Sequence, residues 1–463
     1  MARTYNYNHM KNKIFCLLIF FLTAFQGKAQ ELSLSESRTL ALEYNQKIKI
    51  ADEMIAENES NVRFVFTQFL PNLKASGSYN YYHDIDDISL PGSFLPTANS
   101  LAEAQQGIYS GTSDVYFPGF NLELGNIDYF SSNLTLTQPI YMGGKIRSSY
   151  QMTKMGREIS IYNRKLQSSD VLLETDQAYW NLVSINEKGK LAEKYVKMLS
   201  ALVQDLQNAF DLEITTKNEL LKAQVQLNQA KLDLFRVQNL MVLSKMSLCQ
   251  VIGRDLMSDI TATDTTITIT QNAIDADYMQ KALNQRPELL MLGKQVEISQ
   301  EQIKNTQADY LPQLGVGASY SYISRIESLI GSSKILAVQA NLSVPVFHWQ
   351  ERKHKVASVR FRSKQKELEM DRTRDLISLE VQQSYFKLQE AYQQIELAKV
   401  SMDQANENVE LTQNSFYEGL ANTTELLDAQ AFWQRAHGEL IDSKINYKLR
   451  EISFLKSIGE LAI

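Results

Sequence analysis

The sequence predicts a mainly α-helical protein with a membrane β-barrel portion, built as an internally duplicated protomer of two strand pairs (four strands) and long coiled-coil helices. Three observations carry this reading. The chain repeats itself: Gln177-Ala178-Tyr179-Trp180-Asn181-Leu182 returns as Gln383-Ser384-Tyr385-Phe386-Lys387-Leu388, and Glu219-Leu220-Leu221-Lys222-Ala223-Gln224 returns as Glu425-Leu426-Leu427-Asp428-Ala429-Gln430, both 206 positions on. Two stretches with no proline and little glycine read as very long helices. Two pairs of segments alternate apolar with small polar residues and read as strands. Duplication comes first, because it sets the architecture before any local motif is read.

Residues 1–29 read as a cleavable signal peptide. Arg3, Lys11 and Lys13 precede an apolar run from Ile14 to Phe25, and Gly27-Lys28-Ala29 offers a small-residue cleavage site. About twelve apolar residues are too few to span a bilayer. Cleavage would remove four basic residues and no acid, taking the formal charge from −6 to −10, which disfavours nucleic acid as a partner. Cys16 lies inside the apolar run, so Cys249 is the one mature cysteine and no disulfide forms within a chain. No later stretch approaches eighteen consecutive apolar residues, so any entry into a membrane must use β-structure.

The first repeat is expected over residues 30–253. A helix over 33–69 opens with Ser33 as cap and Glu36 three residues on, and Leu70-Pro71 ends it. A strand over about 72–82 places Leu73, Ala75, Gly77, Tyr79 and Tyr81 on one face. Residues 83–126, rich in Gly, Pro, Ser and Asp, read as a long loop that is a 35-residue insertion relative to the second copy. A partner strand over about 127–141, a long helix over 143–211 and a returning helix over 217–252 complete the copy. In the returning helix Leu220, Leu227, Leu234, Met241 and Leu248 alternate with Ala223, Ala230, Val237, Ser244 and Val251, an a/d seam over nearly five heptads.

Residues 254–276 link the copies and could add a small strand outside the barrel. The second repeat, 277–463, has a helix over 277–311, strands over about 313–323 and 334–347, a long helix over 348–417 and a helix over 423–458. Seventy helical residues span about 100 Å. A helix that long needs a partner along its length, and the two shorter helices of each copy, end to end, supply one. Four strands cannot close a barrel with an interior, and exposed edges are not tolerated in lipid. A symmetric oligomer sharing one barrel solves this, and three chains give twelve strands. Tyr79, Tyr81, Tyr82, Tyr320 and Tyr322 fit an aromatic girdle.

The repeated order, with Leu-Pro ahead of each first strand (Leu70-Pro71, Leu311-Pro312) and Glu-Leu-Leu-x-Ala-Gln at each helix return, resembles the outer-membrane efflux protein family, the TolC-like channels. The resemblance covers essentially the whole mature chain. It implies a homotrimer with a 12-stranded barrel in outer-membrane lipid and a periplasmic α-helical tunnel. It further implies a passive exit channel of a tripartite efflux or secretion system, docked at its tip by an adaptor protein and an inner-membrane pump. Glu425 and Asp428 match the family's acidic pair at the pore constriction, and in a threefold assembly carboxylates three apart on a helix would form rings that favour cations. The first copy keeps Glu219 but has Lys222 in place of the second acid, a residue that could pair with Asp428 or Glu425. Where family members lock the tip with tyrosine and arginine, this chain has Phe416 and Ala421, leaving Tyr417 as a substitute. Gly419 and Leu420, with Glu213 and Ile214 in the other return, are the expected adaptor contacts.

Catalysis is not expected. His83, His348, His354 and His437 are scattered without metal-ligand spacing, and no phosphate-binding glycine loop or nucleophile elbow is present. No cofactor is implied. The competing reading is a structural or adhesive coiled-coil envelope protein or a periplasmic adaptor; it accounts for the heptads but not for four alternating strands with tyrosine ends.

Overall fold

A computed structural model of the chain describes residues 30–111, 115–122, 125–264, 267–269, 276–324 and 332–461. The predicted signal peptide lies outside these, as does part of the Thr265–Thr270 run. In chain order the elements are β1 (Gln30–Leu32), α1 (Leu34–Tyr44), α2 (Gln46–Thr67), β2 (Asn72–Ile85), β3 (Ile88–Leu90), β4 (Ser93–Leu95), α3 (Leu101–Gln105), β5 (Val115–Phe117), β6 (Phe120–Leu122), β7 (Gly125–Met142), α4 (Lys145–Asp211) and α5 (Lys217–Val251). They continue with β8 (Ile260–Ala262), α6 (Tyr278–Gln285), α7 (Pro287–Ala308), β9 (Gln313–Ile323), β10 (Ser333–Ser343), α8 (Glu351–Tyr417) and α9 (Thr423–Ser457). No helix among the described residues is long and apolar enough to cross a membrane. The chain divides into two compact units: one of residues 1–60, 154–299 and 361–463, the other of 61–153 and 300–360.

The second unit holds a four-stranded antiparallel sheet of order β10-β9-β7-β2. Its registers carry the duplication into space. Asn72 faces Thr137 in the first hairpin and Gln313 faces Ser343 in the second, positions related by the same 241 and 206 that separate the sequence matches. The two hairpins join through β7 and β9, and the ladder slips at Pro139–Tyr141, where proline has no N–H to give. Within the expected long loop the described residues are more ordered than a loop reading allows: β3 pairs with β6, β4 with β5, and α3 sits beyond them. Turn-rich composition hid these short strands, because three-residue ladders have no period to read.

In the first unit each copy opens with two helices rather than one. The helix expected over 33–69 breaks at Asn45, which takes extended backbone (ψ 135°), and the one over 277–311 breaks at Arg286 (ψ 124°). Arg286 precedes Pro287, whose ring disfavours helical backbone one residue earlier. Asn45 caps instead: its side chain accepts from the Lys47 N–H at 2.8 Å. Both joints dock on the end of a returning helix, since Asn45 Nδ2 donates to the Val251 carbonyl at 2.7 Å and Arg286 donates to the Ser457 carbonyl at 3.5 Å, acceptors 206 apart. The Ser33 capping box forms with Glu36. The linker contributes β8, which pairs in parallel with β1.

The main core gathers Tyr179, Trp180, Leu182, Leu248, Ile252 and Ile260 with Leu32, Ala41 and Ile48. Inside this unit Asp176 is fully buried and receives two bonds from Arg38, at 2.8 and 2.5 Å. Removing one partner of such a pair leaves an uncompensated charge. Arg38→Met is therefore expected to lower stability by about 3 kcal/mol, read as a shift of the denaturant midpoint in detergent; an unshifted midpoint would mean that water reaches Asp176.

Candidate functional site

The predicted site residues lie at the two helix returns, α4–α5 and α8–α9, both in the first unit. Each return is a tight turn that closes with the same hydrogen bonds. Ile214 N–H reaches back to the Ala209 carbonyl at 2.8 Å, and Leu420 N–H to the Ser415 carbonyl at 2.8 Å. This is the six-to-one bond of a Schellman closure, which requires a left-handed residue at the position before. Gly419 supplies it at φ +75°, and Glu213, 206 positions earlier, adopts φ +60° with a side chain present. The same backbone is thus built with glycine in one copy and under strain in the other. Ile214 and Leu420 project into solvent, three-quarters or more exposed.

The next helices start with side-chain caps. Thr216 accepts from the Glu219 N–H at 3.4 Å, and Asn422 forms a full capping box with Glu425, both bonds at 3.0 Å. The Glu425 carboxylate is therefore engaged at its own helix start, while Asp428 is exposed one turn on; Leu426 and Ala429 of the same turn are buried. Glu425 and Asp428 thus share the outward side of α9.

Within the chain Lys222 pairs with neither Asp428 nor Glu425. Lys222 Nζ lies 2.9 Å from Glu219 Oε1 on its own helix and 3.3 Å from the Thr424 hydroxyl of α9. The i, i+3 spacing on one helix brings Glu219 within reach. Lys222, ahead of the smaller effect of burial, holds the Glu219 carboxyl below the usual carboxylate range. Through Thr424 it ties the two returns together.

Phe416 packs against the tip core formed by Leu202, Leu206, Leu220, Ala223 and Leu426. Tyr417, its neighbour, donates its phenolic hydrogen to Asp205 Oδ2 of α4 at 3.1 Å. Burial first, and then the Asp205 carboxylate, raises the Tyr417 phenol above its ordinary value, so it remains a donor throughout the neutral range. Phe416 and Tyr417 therefore divide the work: one fills the tip core, the other links α8 to α4. Asp205 was missed in the sequence, because an exposed acid in mid-helix carries no local signal.

Within this unit α4 runs beside both α5 and α9, through Tyr195–Gln226 at 3.1 Å and Lys188–Asp442 at 2.6 Å. Helix α9 also meets α8, through Trp433–Asn406 at 2.8 Å and Asn446–Gln394 at 3.1 Å. Helices α5 and α8 are thus the outer two. Every residue of the predicted α5 seam is buried or half-buried. A second row on α5, Leu221, Val225, Leu232, Phe235 and Val242, is exposed, and so is a row on α8, Phe361, Leu368, Leu379, Phe386, Leu397 and Leu411. Steps of 7, 11 and 14 keep the α8 row on one side of a straight helix. No large apolar residue of α4 is exposed, and only Phe432 is on α9.

A duplicated chain with two strand pairs in one sheet and long helices returning at capped tips has the fold of the TolC-like outer-membrane channels. Residues 38–254 and 278–460 match the family model for the outer membrane efflux protein, and the chain belongs to that family, whose members are channels of the outer membrane. It is similar to the alkaline protease secretion protein AprF of Pseudomonas aeruginosa, 22% identical over 331 residues covering 69% of this chain and 67% of that one. Its fold is similar to the CmeC outer membrane channel of Campylobacter jejuni (TM-score 0.73, 18% identity, 92% and 85% of the two chains) and to the channel-forming CusC (TM-score 0.74, 14%, 94% and 95%). It is also similar to the open state of the MtrE outer membrane channel of Neisseria gonorrhoeae (TM-score 0.71, 16%, 92% and 88%).

Relieving the left-handed side chain in the first return should stabilise it. Glu213→Gly is expected to slow amide exchange at residues 209–214, a gain of about 1 kcal/mol, whereas Gly419→Glu should speed exchange at 415–420 by a similar amount. Equal exchange in both variants and the parent would show that neither position is strained.

Proposed function

We propose that three copies of this chain form a passive exit duct, with one 12-stranded barrel in the outer membrane and an α-helical periplasmic tunnel gated at the helix returns. The observation that carries this is the unfinished edge of the protomer. Strands β2 and β10 each have an open side in the sheet, and the exposed apolar rows fall on the outer helices α5 and α8 and not on the inner two. An open sheet edge in hydrocarbon costs several kcal/mol per unpaired group. Closure with a neighbouring copy satisfies the strands and covers the rows together.

In this reading the duct has no energy source of its own and is opened by an inner-membrane pump through a periplasmic adaptor. Gly419, Leu420, Glu213 and Ile214 would meet the adaptor, since the two projecting apolar residues end adjacent returns on closely similar backbones. Tyr417 with Asp205, and Lys222 with Glu219 and Thr424, would hold the tip closed, and Phe416 would fill it. Glu425 and Asp428 would tune passage, each forming a ring of three that favours cations in a narrow pore. AprF is named for alkaline protease secretion and the structural neighbours are named as channels; efflux of small molecules and secretion of protein are both compatible with a duct whose cargo the pump selects.

Two measurements test this. Phe386→Glu and Leu397→Glu in α8 are each expected to abolish trimers on native gels while leaving helical circular dichroism unchanged; trimers that persist would remove the α8 row from the interface. In planar bilayers, Tyr417→Phe is expected to raise single-channel conductance more than Phe416→Leu, which conserves most of the packing. Glu425→Ala with Asp428→Ala should reduce cation selectivity. Absence of discrete single-channel currents from folded trimers of the parent and all variants would sink the duct reading.

A further inference from the structure

The joint between β10 and α8 carries a feature that the channel reading does not require. The first copy turns from strand to helix through Gly143 and Gly144, at φ +64° and +88°. At the corresponding positions of the second copy, 206 residues on, Trp349 and Gln350 adopt φ +35° and +65°. The backbone route is shared, but one copy follows it with glycines and the other with side chains that disfavour it by roughly 1–3 kcal/mol each. Such strain persists where the side chain has a use that glycine cannot serve.

The side chains indicate the use. Leu336, Val338 and Leu342 form an apolar row on one face of β10, and beyond its end Val346 is 90% exposed. Trp349 is 86% exposed and meets Phe347, 68% exposed, edge-on, with ring centroids 4.9 Å apart. Immediately beyond stand Arg352, Lys353 and His354, all exposed and without an ion-pair partner among the described residues. Their neighbours are committed: Glu351 accepts from Tyr310 at 2.8 Å, and Lys355 lies 3.2 Å from Asp309. An aromatic wedge beside the unpaired Arg352 and Lys353, at the end of a strand in an outer-membrane protein, matches an interfacial region where indole rings settle and phosphates lie.

We propose that Val346, Phe347 and Trp349 insert into the leaflet on the helical side of the outer membrane, and that Arg352, Lys353 and His354 bind the phosphate of an anionic phospholipid there. The site rests on the reading that β10 spans the membrane with α8 on the periplasmic side. Its occupant is a lipid because the apolar wedge follows the end of the apolar row of β10 in the chain and the charges of Arg352 and Lys353 are complementary to a headgroup phosphate. The first copy keeps an exposed apolar pair, Ile140 and Tyr141, at the positions of Val346 and Phe347, but has Gly143 for Trp349, Ile146 for Arg352 and Ser148 for His354, so the indole and the adjacent basic group belong to the β10 joint alone.

Trp349→Gly is a fold-neutral probe, because Gly143 already takes this backbone in the other copy. Trimers are reconstituted in vesicles containing brominated phosphatidylglycerol or brominated phosphatidylcholine at equal mole fraction, and the quenching of Trp349 is taken as the parent minus Trp349→Gly difference. Stronger quenching by the phosphatidylglycerol probe is expected, lost when Arg352→Gln and Lys353→Gln are combined, each cation being worth about fivefold in local lipid enrichment. Equal quenching by both probes would overturn the headgroup site and leave an apolar wedge alone. No quenching in trimers that insert and conduct would overturn the whole proposal while leaving the channel reading intact. A protein that neither inserts nor conducts would fail the channel reading itself, and the site with it.

Discussion

Backbone hydrogen bonding in lipid is the constraint on which the rest of this molecule depends. A four-stranded sheet leaves two rows of unpaired N–H and C=O groups, and in hydrocarbon no water is present to satisfy them. The chain belongs to an outer-membrane family, so its open edges at β2 and β10 need strands from elsewhere. Helices α5 and α8 follow the same logic in water: their outward faces carry Phe235, Phe386 and Leu397, while the inner helices expose almost no large apolar side chain. Under the proposed assembly, copies of the chain would pair the strand edges and cover the outward helix faces.

Duplication makes that closure economical and also exposes where the copies diverge. Hairpin registers coincide under the 206 and 241 offsets, and so do the helix joints, where Asn45 and Arg286 reach equivalent carbonyls with different chemistry. Backbone conformation is retained even where residue type is not: Glu213 follows Gly419, and Trp349-Gln350 follows Gly143-Gly144, into left-handed geometry. These side chains are exposed, so the turn that joins the flanking elements, and not packing around the side chain, holds the conformation against local preference. Departures between the copies therefore mark side chains with separate tasks.

At the tip, much of the arrangement was legible because it is local. The Glu-Leu-Leu-x-Ala-Gln segments read as helix starts, and Glu219 and Glu425 sit three residues after their caps, as Thr216 and Asn422 require. The partner of Lys222 was not legible, because Thr424 and Asp428 lie one turn apart on the same side of α9 and a bond that crosses 202 positions has no local signal. Asp205 was invisible: its bond to Tyr417 crosses 212 positions, and no periodicity reports a single contact between two helices. The paired helices at each opening were hidden differently. Arg286-Pro287 carried a break signal that the long apolar pattern outweighed, and Asn45 became a break only through its docking on Val251.

By itself the sequence determined the duplication, the four strands, the long helices, the buried seam of α5 and the family, since each is periodic or repeated over many residues and survives local ambiguity. Tertiary structure alone decided which helices and strands are edges, where Lys222 and Tyr417 find their partners, and which residues carry left-handed strain. The physical reason is range: periodicity reports the face that an element buries, whereas the identity of its neighbour depends on contacts between residues far apart in the chain.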